Sequence, residues 1–270
     1  MATYLDSIGA WHREVASSDR RDRTDLAARA RAAPRPRDFV TALKARGAKS
    51  SGEAAIALVA EIKRRSPSKG DIAPGLDPAR VARAYASGGA SCLSVLTDGP
   101  YFGGSPEDLR LARAAVGLPV LRKDFTVSAA DVYDARIMGA DAVLLIVALL
   151  AHAELAELYR VAGDLGMAAV VEVHDENELG LALEIGATLV GVNQRDLHTF
   201  EVDRARAERV ARQVPAGVLK IAESGVETAA DVAALERAGF DGVLVGEALL
   251  RSRDRRAGVA ALVGRIVPCG

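Results

Sequence analysis

Eight short apolar or β-branched runs recur along this chain, each separated from the next by a helix-length amphipathic segment. That alternation restricts the fold more than any other feature. The runs are Ala57–Lys63, Cys92–Thr97, Val120–Lys123, Ala142–Val147, Ala168–Val173, Leu189–Asn193, Leu219–Glu223 and Gly242–Val245. Strands covered on both faces read as continuous apolar stretches, as parallel strands under helices do. Gly89-Ala90, Gly139-Ala140, Gly186-Ala187 and Gly239-Phe240 each precede a run. A glycine there supplies the left-handed turn that ends a helix and starts the next strand. Eight strand–helix units in a chain of 270 residues predict an α/β fold, a (β/α)8 TIM barrel. An open doubly wound sheet would call for a Gly-rich first turn, and GxGxxG is absent after the first run.

The first 54 residues are different and are expected to form a helical extension packed on the barrel of residues 55–270. Leu5, Ile8, Trp11 or His12, and Val15 recur at helical spacing. A second helical piece, Phe39–Ala45, follows Pro34, Pro36 and Asp38 and stops at Gly47. The Arg-rich stretch between them is balanced by Asp19, Asp22, Asp25 and Asp38, so it reads as a solvated helical face. The net charge of −1 gives no nucleic-acid footprint. No signal-peptide core opens the chain, and the longest apolar stretch, Ala142–Ala151, is too short to span a bilayer. A cytoplasmic enzyme without membrane or nucleic-acid partners is the expectation. Cys92 and Cys269 fit neither a metal spacing nor a disulfide framework. His12, His152, His174 and His198 form no metal-binding pair and no nucleophilic triad. They read as structural or surface groups, although His174 shares the face of Glu172.

Barrel active sites sit at the C-terminal ends of the strands. Residues two apart share a strand face, so Val59, Glu61 and Lys63 point one way. Val170 with Glu172, Asn193 with Arg195, and Leu219, Ile221 with Glu223 form equivalent sets. The inferred mouth holds Glu61, Glu172 and Glu223 against Lys63, Lys123 and Arg195. Six converging charges are costly to bury unless they are paired or used. Asp124 and Asp196 follow inward positions and are expected to face the helices or cap loops. Ser224-Gly225 after the seventh run and Gly246 after the eighth, with a short helix starting near Glu247, suggest the usual barrel phosphate site. The basic loop Arg64–Gly70 would close over the same anion.

Taken together, these strand ends resemble the indole-3-glycerol phosphate synthase family. The matching runs are AEIKRRSPSKG (60–70), SVLTDGPYFGGSPEDL (94–109), PVLRKDF (119–125), VVEVHDENEL (170–179), GVNQRDLHTFEVD (191–203), AESGV (222–226) and GVLVGEALL (242–250). EIKRxSPS with LRKDF at this separation is the specific combination, whereas AESG recurs in related barrels. Gln194 stands where the family varies among Asn, Ser and Ala. The resemblance implies ring closure of 1-(2-carboxyphenylamino)-1-deoxyribulose 5-phosphate with loss of carbon dioxide and water, needing no metal or organic cofactor.

It also implies roles by position. Lys123 is the expected general acid at the sugar carbonyl, and Lys63, held by Glu61, positions the carboxylate or shares that task. Glu172 acts in the dehydration, Glu223 tunes the charges or binds substrate, and Asn193 and Arg195 orient the substrate. Ser66, Ser224, Gly225 and Gly246 hold phosphate. Pro67, Phe102, Phe125, Leu144 and Leu197 wall the aromatic ring. The family is often monomeric, and a monomer is the expected state. Two rival readings are a phosphate-binding barrel isomerase, such as phosphoribosylanthranilate isomerase, and a non-catalytic binder of a phosphorylated ligand. Such isomerases use an acid–base pair of Cys and Asp, or of two Asp, at strand ends.

Overall fold

A computed structural model describes residues 4–45, 56–67, 69–195 and 202–264, with Arg204 described by its backbone only. Eight parallel strands close into a barrel. They are β1 (Ala57–Ile62), β2 (Cys92–Leu96), β3 (Val120–Lys123), β4 (Ala142–Ile146), β5 (Ala168–Val173), β6 (Leu189–Asn193), β7 (Leu219–Glu223) and β8 (Gly242–Val245). Each adjoins its neighbour in sequence, and β8 pairs with β1 to complete the ring. All eight expected strands are present. Three end one residue short of the sequence reading because Lys63 and Thr97 already belong to loops and Val147 opens a 3-10 turn.

Alternation sorts the side chains into two cores. Outward positions such as Leu58, Leu93, Val143, Val171 and Val243 pack under the surrounding helices. Inward positions such as Val59, Leu121, Leu144, Val170, Ile221 and Leu244 fill the barrel. The expected turns recur at Gly89, Gly139, Gly186 and Gly239, whose φ values of 101°, 98°, 78° and 83° are ones an L side chain rarely adopts.

The N-terminal segment wraps the barrel with three helices, α1 (Tyr4–Ser18), α2 (Arg23–Ala32) and α3 (Phe39–Lys44). Helix α3 plugs the N-terminal end of the barrel, where Phe39 and Leu43 join the inner core. Burying each contributes about 1.5–3 kcal/mol. The Arg37 backbone N–H donates to Asp141 Oδ1 at 2.8 Å and ties the same end. The Arg-rich stretch is helical as read, but it is not wholly solvated. Leu26, Ala27 and Ala30 are buried, with α2 against the barrel helix Ala129–Met138.

Helix α1 crosses the opposite end, and Tyr4, Leu5 and Ile8 face the cavity there. Its inward stripe continues through His12 rather than Trp11, and Val15 is exposed, because only the first turns cover the mouth. At Gly9 an added Cβ would run into Leu149 Cδ1, so a larger residue there would make that leucine shift. Residues 46–55, including Gly47, lie outside the described residues.

Candidate active site

The C-terminal strand ends and α1 enclose a cavity of about 710 Å³. Every candidate among the described residues lines it: Lys123, Lys63, Glu172, Glu61, Asn193 and Glu223, with Arg195, Ser66, Ser224, Gly225, Gly246, Pro67, Phe102, Phe125 and Leu144. Leu197, Asp196 and His198 lie outside the described residues.

At the cavity floor Lys123 bridges two buried carboxylates. Its Nζ lies 2.9 Å from Glu172 Oε2 and 2.6 Å from Glu223 Oε2. Beside it, Lys63 Nζ pairs with Glu61 Oε1 at 2.6 Å. Asn193 ties three strands together. Its Nδ2 donates to Glu172 Oε1 at 3.1 Å, while its Oδ1 accepts from Ser224 Oγ at 2.9 Å and from the Arg195 backbone N–H at 3.0 Å.

Three acids meet two lysines here, and burial makes the imbalance count. Burial alone would pull the Lys123 ammonium down, but Glu172, Glu223 and Glu61 outweigh it and hold its pKa above the ordinary lysine value. Glu172 resists burial through Lys123, His174 and Asn193 and falls to about 2. Glu223 goes the other way. Burial, with Glu172 and Glu61 nearby, outweighs its contact with Lys123 and pushes it up to about 7. One carboxylate is thus firmly ionised while its neighbour exchanges a proton near neutrality.

Two glycines make room for these carboxylates, a feature that the sequence reading missed for Gly191. A Cβ on Gly191 would collide with Glu223 Oε1, and one on Gly246 would collide with Glu61 Oε1. No motif marks Gly191, since only the barrel's curvature brings β7 against it. Gly191→Ala is therefore expected to displace Glu223 from Lys123 and lower kcat by about tenfold or more, in line with the cost of small misplacements at reacting groups. Steady-state kinetics with a melting curve would check this, and unchanged turnover would contradict it.

Beyond β7 the chain turns through Ser224 and Gly225, with φ of 65° and 70°. Ser224 is the one non-glycine residue with positive φ among the described residues, a conformation costing about 1–2 kcal/mol. Its hydroxyl bond to Asn193 helps hold it there. A Cβ on Gly225 would meet Val202 Cγ1 at 2.5 Å. Gly246 precedes the short helix Glu247–Arg251, as expected, and the Glu247 carboxylate accepts from Arg251 Nε at 3.0 Å.

The basic loop after β1 divides its charges, which corrects the expectation that the whole loop faces an anion. Ser66, Pro67 and Lys69 border the cavity. Arg64 instead donates to Asp108 Oδ1 at 2.9 Å, and Arg65 Nε to the Tyr101 carbonyl at 3.2 Å. Both guanidiniums fasten the loop to its neighbour.

Asp124 borders the cavity but is committed to structure. It accepts from Thr97, from Arg122 at 2.9 Å and from the Phe125 N–H at 2.9 Å. His12 donates toward Asp98 Oδ2 at 3.0 Å, and its ring lies 5.2 Å from that of Phe125. His12, Asp98 and Asp124 do come within ligand distance of one another, which their spacing in sequence concealed. Arg122, Thr97 and backbone N–H groups already take much of the acceptor capacity of the two carboxylates. Cys92 sits deep in the barrel, where burial pushes its thiol up, away from the charged mouth. No helix among the described residues is long and apolar enough to cross a membrane.

Residues 5–262 match the family model described as indole-3-glycerol phosphate synthase. Among curated relatives, the indole-3-glycerol phosphate synthase of Mycolicibacterium gilvum is 50% identical over 264 residues, covering 97% of this chain and 94% of that one. Indole-3-glycerol phosphate synthase 2 of Streptomyces coelicolor is 51% identical over 241 residues, 89% of each. Among solved structures, thiamine phosphate pyrophosphorylase from Pyrococcus furiosus superposes with a TM-score of 0.57 at 16% identity, over 77% of this chain and 93% of that one. The N-acetylmannosamine-6-phosphate 2-epimerase from Clostridium perfringens gives 0.57 at 15% identity, over 71% and 86%. Likeness at that level shows the barrel fold and nothing of the chemistry.

Proposed function

The chain belongs to the indole-3-glycerol phosphate synthase family, and from that membership we propose that it converts 1-(2-carboxyphenylamino)-1-deoxyribulose 5-phosphate to indole-3-glycerol phosphate, carbon dioxide and water. It is a carboxy-lyase of tryptophan biosynthesis. The observation that carries the assignment of roles is the buried Lys123 bridging Glu172 and Glu223 beside the Lys63–Glu61 pair.

The substrate carries a phosphate and a carboxylate at opposite ends. Ser66, Ser224, Gly225 and Gly246 receive the phosphate. Lys63 and Arg195 receive the carboxylate, and Pro67, Phe102, Phe125 and Leu144 flank the ring. Held this way, the ring carbon bearing the carboxylate attacks the sugar carbonyl carbon. Lys123 gives its proton to the carbonyl oxygen as that bond forms. Carbon dioxide then leaves and its electron pair returns to the ring. In the dehydration Lys63, released once the carboxylate has left, gives a proton to the departing hydroxyl, which leaves as water, and Glu172 takes from the neighbouring carbon the proton whose loss closes the double bond.

Electrostatics links the two halves. Lys123 holds Glu172 at about 2, a poor base at rest. Once Lys123 has given up its proton, that restraint is gone and Glu172 becomes more basic when a base is needed. Asn193 keeps the carboxylate oriented throughout. A monomer working in the cytoplasm is the state proposed, as the family resemblance implies. The isomerase alternative finds no support in Cys92, which lies in the barrel interior rather than at the mouth.

The test is steady-state turnover of the carboxyphenylamino-deoxyribulose phosphate, followed by indole fluorescence with a chelator present. Product should form at a rate the chelator does not change. Folded protein that binds the substrate without turning it over would favour the non-catalytic binder.

A further inference from the structure

Glu172 has a neighbour that the reaction as described does not use. His174 follows β5 by one residue and is not among the residues lining the cavity. Its side chain is only 11% exposed. Ring Nε2 is buried, makes no hydrogen bond among the described residues, and lies 3.5 Å from Glu172 Oε1. Ring Nδ1 lies 3.0 Å from Glu178 Oε2, which also accepts the His174 backbone N–H at 2.7 Å. Glu178 stands in the first turn of the helix Glu176–Glu184, where Asp175 accepts its backbone N–H at 2.8 Å. The anchor is therefore built into the start of a helix and sits outside the barrel's interior.

The geometry points to His174 as a positioning residue: gripped by Glu178, its imidazolium sets a positive N–H edge against Glu172 and keeps that carboxylate ionised and aimed at the reacting groups. The inference rests on the role given to Glu172 above. The charges facing the ring are Glu172 from β5, Glu223 from β7 and Glu178 from the helix, with Lys123 on the other oxygen of Glu172. Burial alone would strip the ring of its proton, and these carboxylates outweigh it so that the net shift is upward. His174 and Glu178 offset each other. The unit thus orients Glu172 without adding net charge to a floor already one negative charge in excess.

The sign of the effect follows. A cation beside the floor carboxylates favours their ionised forms, so losing it raises the pH at which Glu223, the one that titrates near neutrality, takes up a proton. The experiment is a set of pH profiles of kcat and kcat/KM for the wild type, His174→Gln, Glu178→Gln and Glu172→Gln, each with a melting curve. Glutamine retains a hydrogen-bonding group facing Glu178 but carries no charge. For His174→Gln the acid limb, which the floor sets through Glu223 because Glu172 stays ionised, is expected to move up by about one unit. The kcat at neutral pH should fall about tenfold, with KM changed by less than about twofold. Glu178→Gln should move the limb the same way by less, since the ring then loses its proton at lower pH. Profiles of both variants that superimpose on the wild type, or a rise in KM alone, would overturn the inference. If His174→Gln fails to fold, Glu178→Gln carries the test, because that side chain lies outside the barrel. Glu172→Gln keeps the two failures apart. If it retains turnover, the role of Glu172 itself falls; if it loses turnover while the other two variants match the wild type, only the role of His174 falls.

Discussion

Lys123→Ala is expected to lower kcat by about 10²–10⁴-fold, the usual cost of losing a general acid. The protein should remain folded. The lysine is an inward residue at the last position of β3, with cavity above it, so its removal enlarges space already open to the substrate. The electrostatic consequence is larger than the steric one. Glu172 and Glu223 both lean on Nζ, and without it two buried carboxylates face each other. Breaking a buried ion pair costs about 3–5 kcal/mol when the remaining charge has no recourse. Here it has one, since Glu223 already titrates at about 7 and can take a proton. At about 2–4 °C per kcal/mol the full cost would be a fall of about 6–20 °C in melting temperature, and proton uptake by Glu223 brings the expected fall to the low end of that range. Circular dichroism would follow the melt, and indole fluorescence the turnover. A folded variant with near-wild-type kcat would remove Lys123 from the acid role.

The barrel was legible because its physics is local and periodic. Buried runs such as Ala142–Ile146 and glycines such as Gly139 recur at strand and helix boundaries whatever the ligand. The charged floor was legible for the same reason: Glu172, Asn193 and Glu223 continue the inward registers of Val170, Leu189 and Ile221. What stayed hidden depends on which elements meet in space. Gly191 looks like any strand glycine until the closed barrel brings the Glu223 carboxylate over it. Arg64 and Arg65 look like anion ligands until the next loop offers Asp108 and a carbonyl. Leu5 and Ile8 show helical periodicity, but nothing in it says that α1 crosses the mouth. Leu96, Ile146 and Leu244 line the cavity too, and their type cannot distinguish them from the core residues one turn of the pleat below. His174 shares the alternation of Glu172, yet it does not line the cavity, and its partner Glu178 comes from the following helix.

Glu172→Gln separates charge from shape at the other pole of the reaction, and its expected loss in kcat is again about 10²–10⁴-fold. The amide matches the carboxylate in volume, so packing at the floor of the barrel is kept. Hydrogen bonding is not. Glu172 accepts from Lys123 on one oxygen and from Asn193 on the other, and an amide can satisfy only one of those donors. One buried donor left unpaired costs about 1–3 kcal/mol. Melting should therefore fall by only a few degrees, since about 2–4 °C is lost per kcal/mol. In the proposed arrangement the substrate's phosphate and carboxylate ends rest on other residues, so KM should change little. A fall in kcat at nearly constant KM marks a group acting in the transition state rather than in binding. The folded-state pKa of Glu172 is about 2, so the wild-type side chain is ionised at any usable pH. Raising the pH cannot restore the variant, which has no proton to lose. Turnover that recovers at high pH would instead identify the base as Glu223, the one floor carboxylate whose titration lies near neutrality.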